Sequence, residues 1–270
     1  MNTEKQSVRK EFYYTTTPEK KKRSKALLVC IVVLFVLVAI VVGGYYILRI
    51  RDIRFEGNSI YTEDKLLSSS GIVVGEKMYG IDKKEIARRI IDECPYVKNV
   101  RITRDLPGTL VVKIEEYKAN FYAEVDGEFF VFGENLIVLE RLISSDEIAK
   151  RCLIRLDAGE ISYAIVGQKL SIVGNVDTET ISRVMSASVA SKIYHRLTLL
   201  NIRDKFDIFA VCDDLYKLIL GDSSDVTLKL DLGGKIMENE MFAGNITRTQ
   251  IDLTDPEECG VIVDNQITFD

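Results

Sequence analysis

The sequence predicts an α+β protein: a single N-terminal transmembrane helix, then a β-α-α-β-β unit, then a mixed β-rich domain with flanking helices. Three observations carry this reading. No charged residue occurs from Ala26 to Leu48. Between Ile50 and Glu116, strand-like alternation brackets two capped amphipathic segments. From Ala119 onward, short alternating runs are separated by turn residues and interrupted by one long helical stripe. The segments are 1–25, a basic tail; 26–48, the span; 49–117, the first unit; 118–255, the β-rich domain; and 256–270, a last strand with a short tail.

The first segment explains an uninformative average. The chain of 270 residues has a net charge of −5. Its first 25 residues carry eight basic and three acidic groups, so +5, and the residues after Leu48 carry −10. Lys20, Lys21, Lys22, Arg23 and Lys25 form a dense basic cluster that, by the positive-inside rule, keeps this end in the cytoplasm and the C-terminus outside. A nucleic-acid role is disfavoured, because the only basic segment lies against the membrane.

As a helix, the run ALLVCIVVLFVLVAIVVGGYYIL is roughly 33 Å long, enough to cross a bilayer. It is too long for the apolar part of a cleaved signal peptide and ends in no small-x-small site. Tyr45 and Tyr46 fall where amphipathic rings prefer the interface.

In the first unit, Ile53 and Phe55 alternate with Arg54 and Glu56 as in a half-buried strand, broken by Gly57-Asn58. Thr62 followed by Glu63 and Asp64 is a helix start, and Gly71 ends that helix. Asp82 with Glu85 three residues on resembles a capping box, followed by the stripe Ile86, Ala87, Ile90 and Ile91 and stopped by Pro95. Val100 and Ile102, the turn Leu106-Pro107-Gly108-Thr109, then Leu110, Val112 and Ile114 make a hairpin with one face toward the helices.

Taken in order, Ile53 to Asn58, Gly71-Ile72, Gly75, Ile81-Asp82, Pro95-Tyr96-Val97 and Arg104 to Leu110 resemble the POTRA domain of the bacterial division proteins FtsQ and DivIB. The resemblance extends, more loosely, to Asp264. Ala158-Gly159 lacks the family's usual Pro before this turn.

In the β-rich domain, Phe121 and Ala123 alternate up to the turn Asp126-Gly127, and Phe129 and Val131 continue beyond it. Leu136 to Leu139 and Leu153 to Leu156 read as strands. Asp177 caps a helix with the face Ile181, Val184, Met185, Val189 and Ile193, and strands follow near Leu197 to Ile202, Phe206 to Val211 and Tyr216 to Leu220. Val226, Leu228, Leu230 and Leu232 alternate strictly, which locally says strand, and Gly233-Gly234 disfavours a helix interior. The resemblance implies a helix here, following a strand that ends in a glycine like Gly221 and carrying a Lys, and helix is the favoured reading. Ile251-Asp252-Leu253 matches the family's penultimate strand and Gly260 to Asp264 its last.

No constellation supports catalysis, a metal or a cofactor. His195 is the only histidine, there is no GxSxG, and Gly233-Gly234-Lys235 lacks the spacing of a phosphate loop. Asp213-Asp214 and Asp222 with Asp225 read as turn residues. Asn245-Ile246-Thr247 is an acceptor pattern expected by chance. Cys94, Cys152, Cys212 and Cys259 lie at least 47 residues apart with no CxxC, and no essential disulfide is expected.

What the pattern offers is an edge. Gly260, Val261, Ile262, Val263 and Asp264 form an apolar final strand with little chain after it, and unpaired edge groups recruit a partner strand. The resemblance implies that FtsL-type and DivIC/FtsB-type bitopic proteins dock on this strand and the turn before it, with Asp252 and Leu253 included. It further implies a septal scaffold beside the peptidoglycan synthase complex. Proline at Ile262 is the substitution expected to break such docking without unfolding the domain. The alternative is a chaperone-like POTRA protein or a cell-wall ligand receptor on the outer face of the membrane.

Overall fold

The computed structural model describes residues 22–242, 247–264 and 266–269. Lys20 and Lys21 of the basic cluster, and Asn245 and Ile246 of the acceptor pattern, lie outside the described residues.

Helix α1 (Lys22–Ile47) contains the apolar stretch Lys25–Gly44, none of it buried within the protein. By length and composition it can cross a membrane. An aliphatic surface exposed on all sides is costly in water and favourable in lipid, so this helix is read as a single membrane span.

Beyond it, β1 (Asp52–Glu56), α2 (Glu63–Ser70), α3 (Lys83–Glu93), β2 (Val97–Asp105) and β3 (Thr109–Glu116) give the expected β-α-α-β-β order. The sheet order is β1-β3-β2, with β1 parallel to β3 and β2 antiparallel to it. Thr62 caps α2 by accepting from the Lys65 amide. Asp82 caps α3 by accepting from the Lys84 and Glu85 amides, but Glu85 closes no reciprocal box; its carboxylate turns outward to Arg88 and Arg89. Ile86 and Ile90 are buried against Phe55, Leu66, Ile102, Leu110 and Val112, whereas Ile91, expected on that stripe, is exposed.

The second region is built on a nine-stranded sheet. Its strands are β4 (Phe121–Val125), β5 (Glu128–Phe132), β6 (Val138–Leu142), β7 (Ile154–Asp157), β10 (Leu197–Asn201), β11 (Ile208–Cys212), β12 (Tyr216–Gly221), β13 (Thr249–Asp252) and β14 (Gly260–Val263). A separate hairpin, β8 (Glu160–Tyr163) with β9 (Ser171–Val173), and the short α4 (Ser145–Ala149) were not anticipated. Helices α5 (Thr178–Ala190) and α6 (Val226–Phe242) pack on each other and α6 on β12, over one continuous core.

Two sequence expectations shift. Asp126 (φ 51°) and Gly127 (φ 81°) form a two-residue turn that pairs Ala123 with Phe130 and Phe121 with Phe132. Cross-strand partners share a face, so Phe130 and Phe132 join Phe121 and Ala123 in the main core, while Val131 is buried on the opposite face and Phe129 is only partly buried. The strand expected from Phe206 starts at Ile208; Phe206 is exposed in the preceding turn. The segment from Val226 is the helix α6, as favoured.

Order in the large sheet runs β14-β13-β12-β11-β10-β7-β4-β5-β6, which leaves β14 as one edge.

Candidate functional site

The C-terminal edge is assembled from the end of β12 outward. Gly221 (φ 71°) sits so close to Thr254 that a Cβ would lie 2.9 Å from its Cγ2, so the chain can turn there only without a side chain. Asp222 then accepts from the Ser224 amide, closing the turn into α6. Lys229, one turn into α6 and nearly fully buried, sends its ammonium back to Leu220 O at 2.7 Å and Asp222 Oδ1 at 3.1 Å. The Ser224 hydroxyl and amide, with Lys229, hold the Asp222 carboxyl down at about 2.

Strand β13 docks parallel on β12, with Thr249 N donating to Leu215 O and Leu253 N to Ile219 O. The odd-numbered amides of β13 therefore face β12, and the even-numbered ones face β14. Strand β14 runs antiparallel to β13, pairing Gln250 with Ile262 and Ile251 with Val261, and Asp264 N donates to Arg248 O. In an antiparallel ladder the bonded and non-bonded pairs alternate. Gly260, Ile262 and Asp264 thus spend their backbone groups on β13, while the N–H and C=O of Val261 and Val263 point to the free edge.

All four residues of β14 are exposed, Ile262 at 58%. The described residues after it make their contacts elsewhere. Gln266 N donates to Asp264 Oδ1, Arg248 donates to Ile267 O, Lys217 to Thr268 O, and the Arg248 guanidinium lies 4.6 Å from the Phe269 ring centre. The tail is drawn over a sheet face, away from the free edge.

Of the residues expected at a docking site, Gly260 to Asp264 are exposed together on the edge, and the Asp252 carboxylate is exposed while capping the Thr254 amide. Leu253 is fully buried in the core, so it supports the edge from behind instead of offering a surface. The sequence reading included the turn joining β13 to β14 but named none of its residues beyond Leu253. Asp255 accepts from the Glu257 amide, and Asp255, Glu257 and Glu258 are all exposed, placing an acidic knob beside the edge. The run Asp-Pro-Glu-Glu was its only signal.

The groups weighed for catalysis are dispersed. His195 is exposed in a short turn at Tyr194–Arg196, Asp213 and Asp214 occupy a tight turn with φ of 51° and 53°, and Asp213 pairs with Arg196. Cys94, Cys152, Cys212 and Cys259 are free thiols, and burial pushes Cys212 up to about 12. Among the described residues no group of three or more His, Cys, Asp and Glu side chains is placed to hold a metal.

Comparison with known proteins bears on this geometry. Residues 48–117 match the family model of the POTRA domain, FtsQ-type. The chain is 26% identical over 195 residues to a cell division protein DivIB of Clostridium botulinum, covering 71% of this chain and 73% of that one. It is 24% identical over 204 residues to a cell division protein FtsQ of Corynebacterium glutamicum, covering 74% and 84%. The chain thus carries a POTRA domain of FtsQ type and is similar, over 71–74% of its length in these two matches, to the division proteins DivIB and FtsQ. These matches support a division protein, and its described residues hold one helix long and apolar enough to cross a membrane, a POTRA domain and a β-rich region; division proteins of this type are not a known family of enzymes. Within the POTRA domain, the matched segment contains the whole β1-α2-α3-β2-β3 unit.

Proposed function

We propose that this chain is a non-enzymatic scaffold of the division machinery that captures a strand from its partners on the free edge of β14. The observation that carries the reading is the uncovered β14 edge, with its two outward donor and acceptor pairs at Val261 and Val263, flanked by apolar side chains and an acidic turn. Main-chain bonding along such an edge provides affinity, and exposed Val261, Ile262 and Val263 add apolar contact. The partners are bitopic proteins of the FtsL and DivIC/FtsB type, held beside the septal peptidoglycan synthase complex. The basic tail, including Lys22, Arg23 and Lys25, fixes the N-terminus in the cytoplasm and the two folded regions outside. The residues that bind are Asp252, Gly260, Val261, Ile262, Val263 and Asp264, with Leu253 supporting them.

Affinity capture of the full chain from dividing cells tests this. Recovery of two small coiled-coil membrane proteins, together with a midcell band of a fluorescent fusion, is expected. Recovery of many unfolded exported polypeptides, with even membrane labelling, would establish the chaperone-like alternative.

A further inference from the structure

The end of the POTRA domain that receives the membrane span carries exposed apolar side chains. Val73, Val74 and Tyr79, in the connection between α2 and α3, are exposed at 58%, 57% and 59%, and Leu106, in the β2–β3 turn, at 56%. Both loops are bonded directly to the segment leaving the span. Met78 N donates to Leu48 O at 3.1 Å, Gly75 N to Ile50 O at 2.7 Å, and Ile50 N to Glu76 O at 2.9 Å. On the other side Arg51 N donates to Gly108 O at 2.8 Å. These backbone bonds hold both loops to the segment that leaves the span.

The height of that segment above the hydrocarbon can be bounded. The apolar stretch of α1 ends at Gly44, whose carbonyl accepts from Leu48 N, so Leu48 stands one helical turn, about 5.4 Å, beyond the hydrocarbon edge. The interfacial zone is roughly 5 to 7 Å thick on each side of the hydrocarbon core. Leu48 and the Met78 amide bonded to it are therefore inside that zone. The side chains flanking them are an aliphatic pair, a leucine and a tyrosine whose ring lies 4.7 Å from the Arg104 guanidinium, the composition that partitions to the headgroup boundary.

We infer that the POTRA domain docks on the bilayer surface, with Val73, Val74, Tyr79 and Leu106 inserted at the headgroup boundary of the leaflet from which α1 emerges. The occupant is lipid, because the span holds these loops against it and no linker separates the two. Such docking fixes the orientation of the domain on the membrane and so the direction in which the distant β14 edge is presented. The inference is independent of what binds that edge.

The chain contains no tryptophan, so a single introduced one is an unambiguous probe. The full chain is reconstituted in phosphatidylcholine and phosphatidylglycerol vesicles in which a share of the phosphatidylcholine carries bromine on its acyl chains. Phe35→Trp, within the span, marks full quenching, and Phe206→Trp, exposed in the β10–β11 turn, marks none. Val74→Trp and, separately, Leu106→Trp are expected to lose emission to an extent between these two and to shift it to the blue in vesicles relative to Phe206→Trp. Emission from both at the level of Phe206→Trp, with Phe35→Trp quenched, would overturn the inference. An unquenched Phe35→Trp would overturn it too, by removing the span on which it rests.

Discussion

The Lys229 ammonium lies 3.1 Å from Asp222 Oδ1 and is otherwise held by Leu220 O, so one buried cation ties the first turn of α6 to the end of β12. Neutralising the carboxylate leaves that cation without a counter-charge in a site it cannot easily leave. Asp222→Asn is expected to destabilise the α6–β12 junction by about 1 kcal/mol, kept small because the carboxylate itself is half exposed. The folded protein holds this carboxyl near 2, below its ordinary value of 3.8, so its stabilisation is fully present above that value and fades as pH falls toward 2. Hydrogen exchange of α6 and β12 amides in the detergent-solubilised chain should therefore separate wild type from Asp222→Asn at pH 6 and bring them together in acid. Equal protection at pH 6 contradicts the assignment.

Gly233 and Gly234 sit inside α6, where glycine costs about 1 kcal/mol against alanine. Packing explains their presence. A Cβ on Gly234 would lie 2.5 Å from Ile193 Cγ2, and one on Gly233 would lie 3.0 Å from Leu218 and Leu253 side-chain carbons. Gly234→Ala is thus expected to lower stability by about 1 to 3 kcal/mol despite its better helix propensity. Pairing it with Ile193→Leu, which has no branch at Cβ, should recover part of the loss. A stabilised single variant in a denaturant titration would show that α6 rides further from Ile193.

The two extramembrane regions are tied by Tyr96, whose hydroxyl donates to Glu140, itself paired with Arg151. Burial, then the hydrogen bond to Glu140 and its charge, push the Tyr96 phenol well above its usual range, so it remains a donor across physiological pH. Tyr96→Phe keeps the ring and removes the bond, for an expected loss of about 1 kcal/mol in the coupling between the regions. Faster proteolysis at Tyr117 to Ala119, between β3 and β4, is the readout; an unchanged rate shows that the contact does not restrain them.

The legibility of the sequence followed how local its signals were. The POTRA domain was readable because Thr62, Asp82, Pro95 and the Leu106 to Thr109 turn each punctuate an element within a few residues of where it ends. The β-rich region was less so, since its strands pair over long separations and their phase depends on turn length. The two-residue turn at Asp126-Gly127 puts Phe130 and Phe132 on the face of Phe121 and Ala123, with Val131 buried on the other face. The strict alternation of Val226 to Leu232 pointed locally to a strand, and the helix formed because Val226, Leu230 and Met237 are buried along one side while Leu228 is left exposed. At the edge, sequence indicated which residues form β14 but not which of their amides are spent on β13, because that parity is fixed by the register with β13.

That parity changes the decisive substitution. Proline at Ile262 removes a donor already bonded to Gln250, so it detaches β14 from β13 and would abolish partner capture even if the free edge played no part. Val261 and Val263 carry the outward amides, and proline there spares the ladder to β13 while its ring occupies the path of an incoming strand. The preceding residue in each case is already extended, as proline requires. Each lost main-chain bond weakens capture by about 0.5 to 1.5 kcal/mol, so Val261→Pro with Val263→Pro should lower partner affinity by about 5-fold to 150-fold. Exchange protection of the Gln250 amide, which faces β14, should persist in that variant and be lost in Ile262→Pro. Undiminished co-purification of both coiled-coil partners by the doubly substituted chain, with the Gln250 amide still protected, would exclude strand addition at this edge.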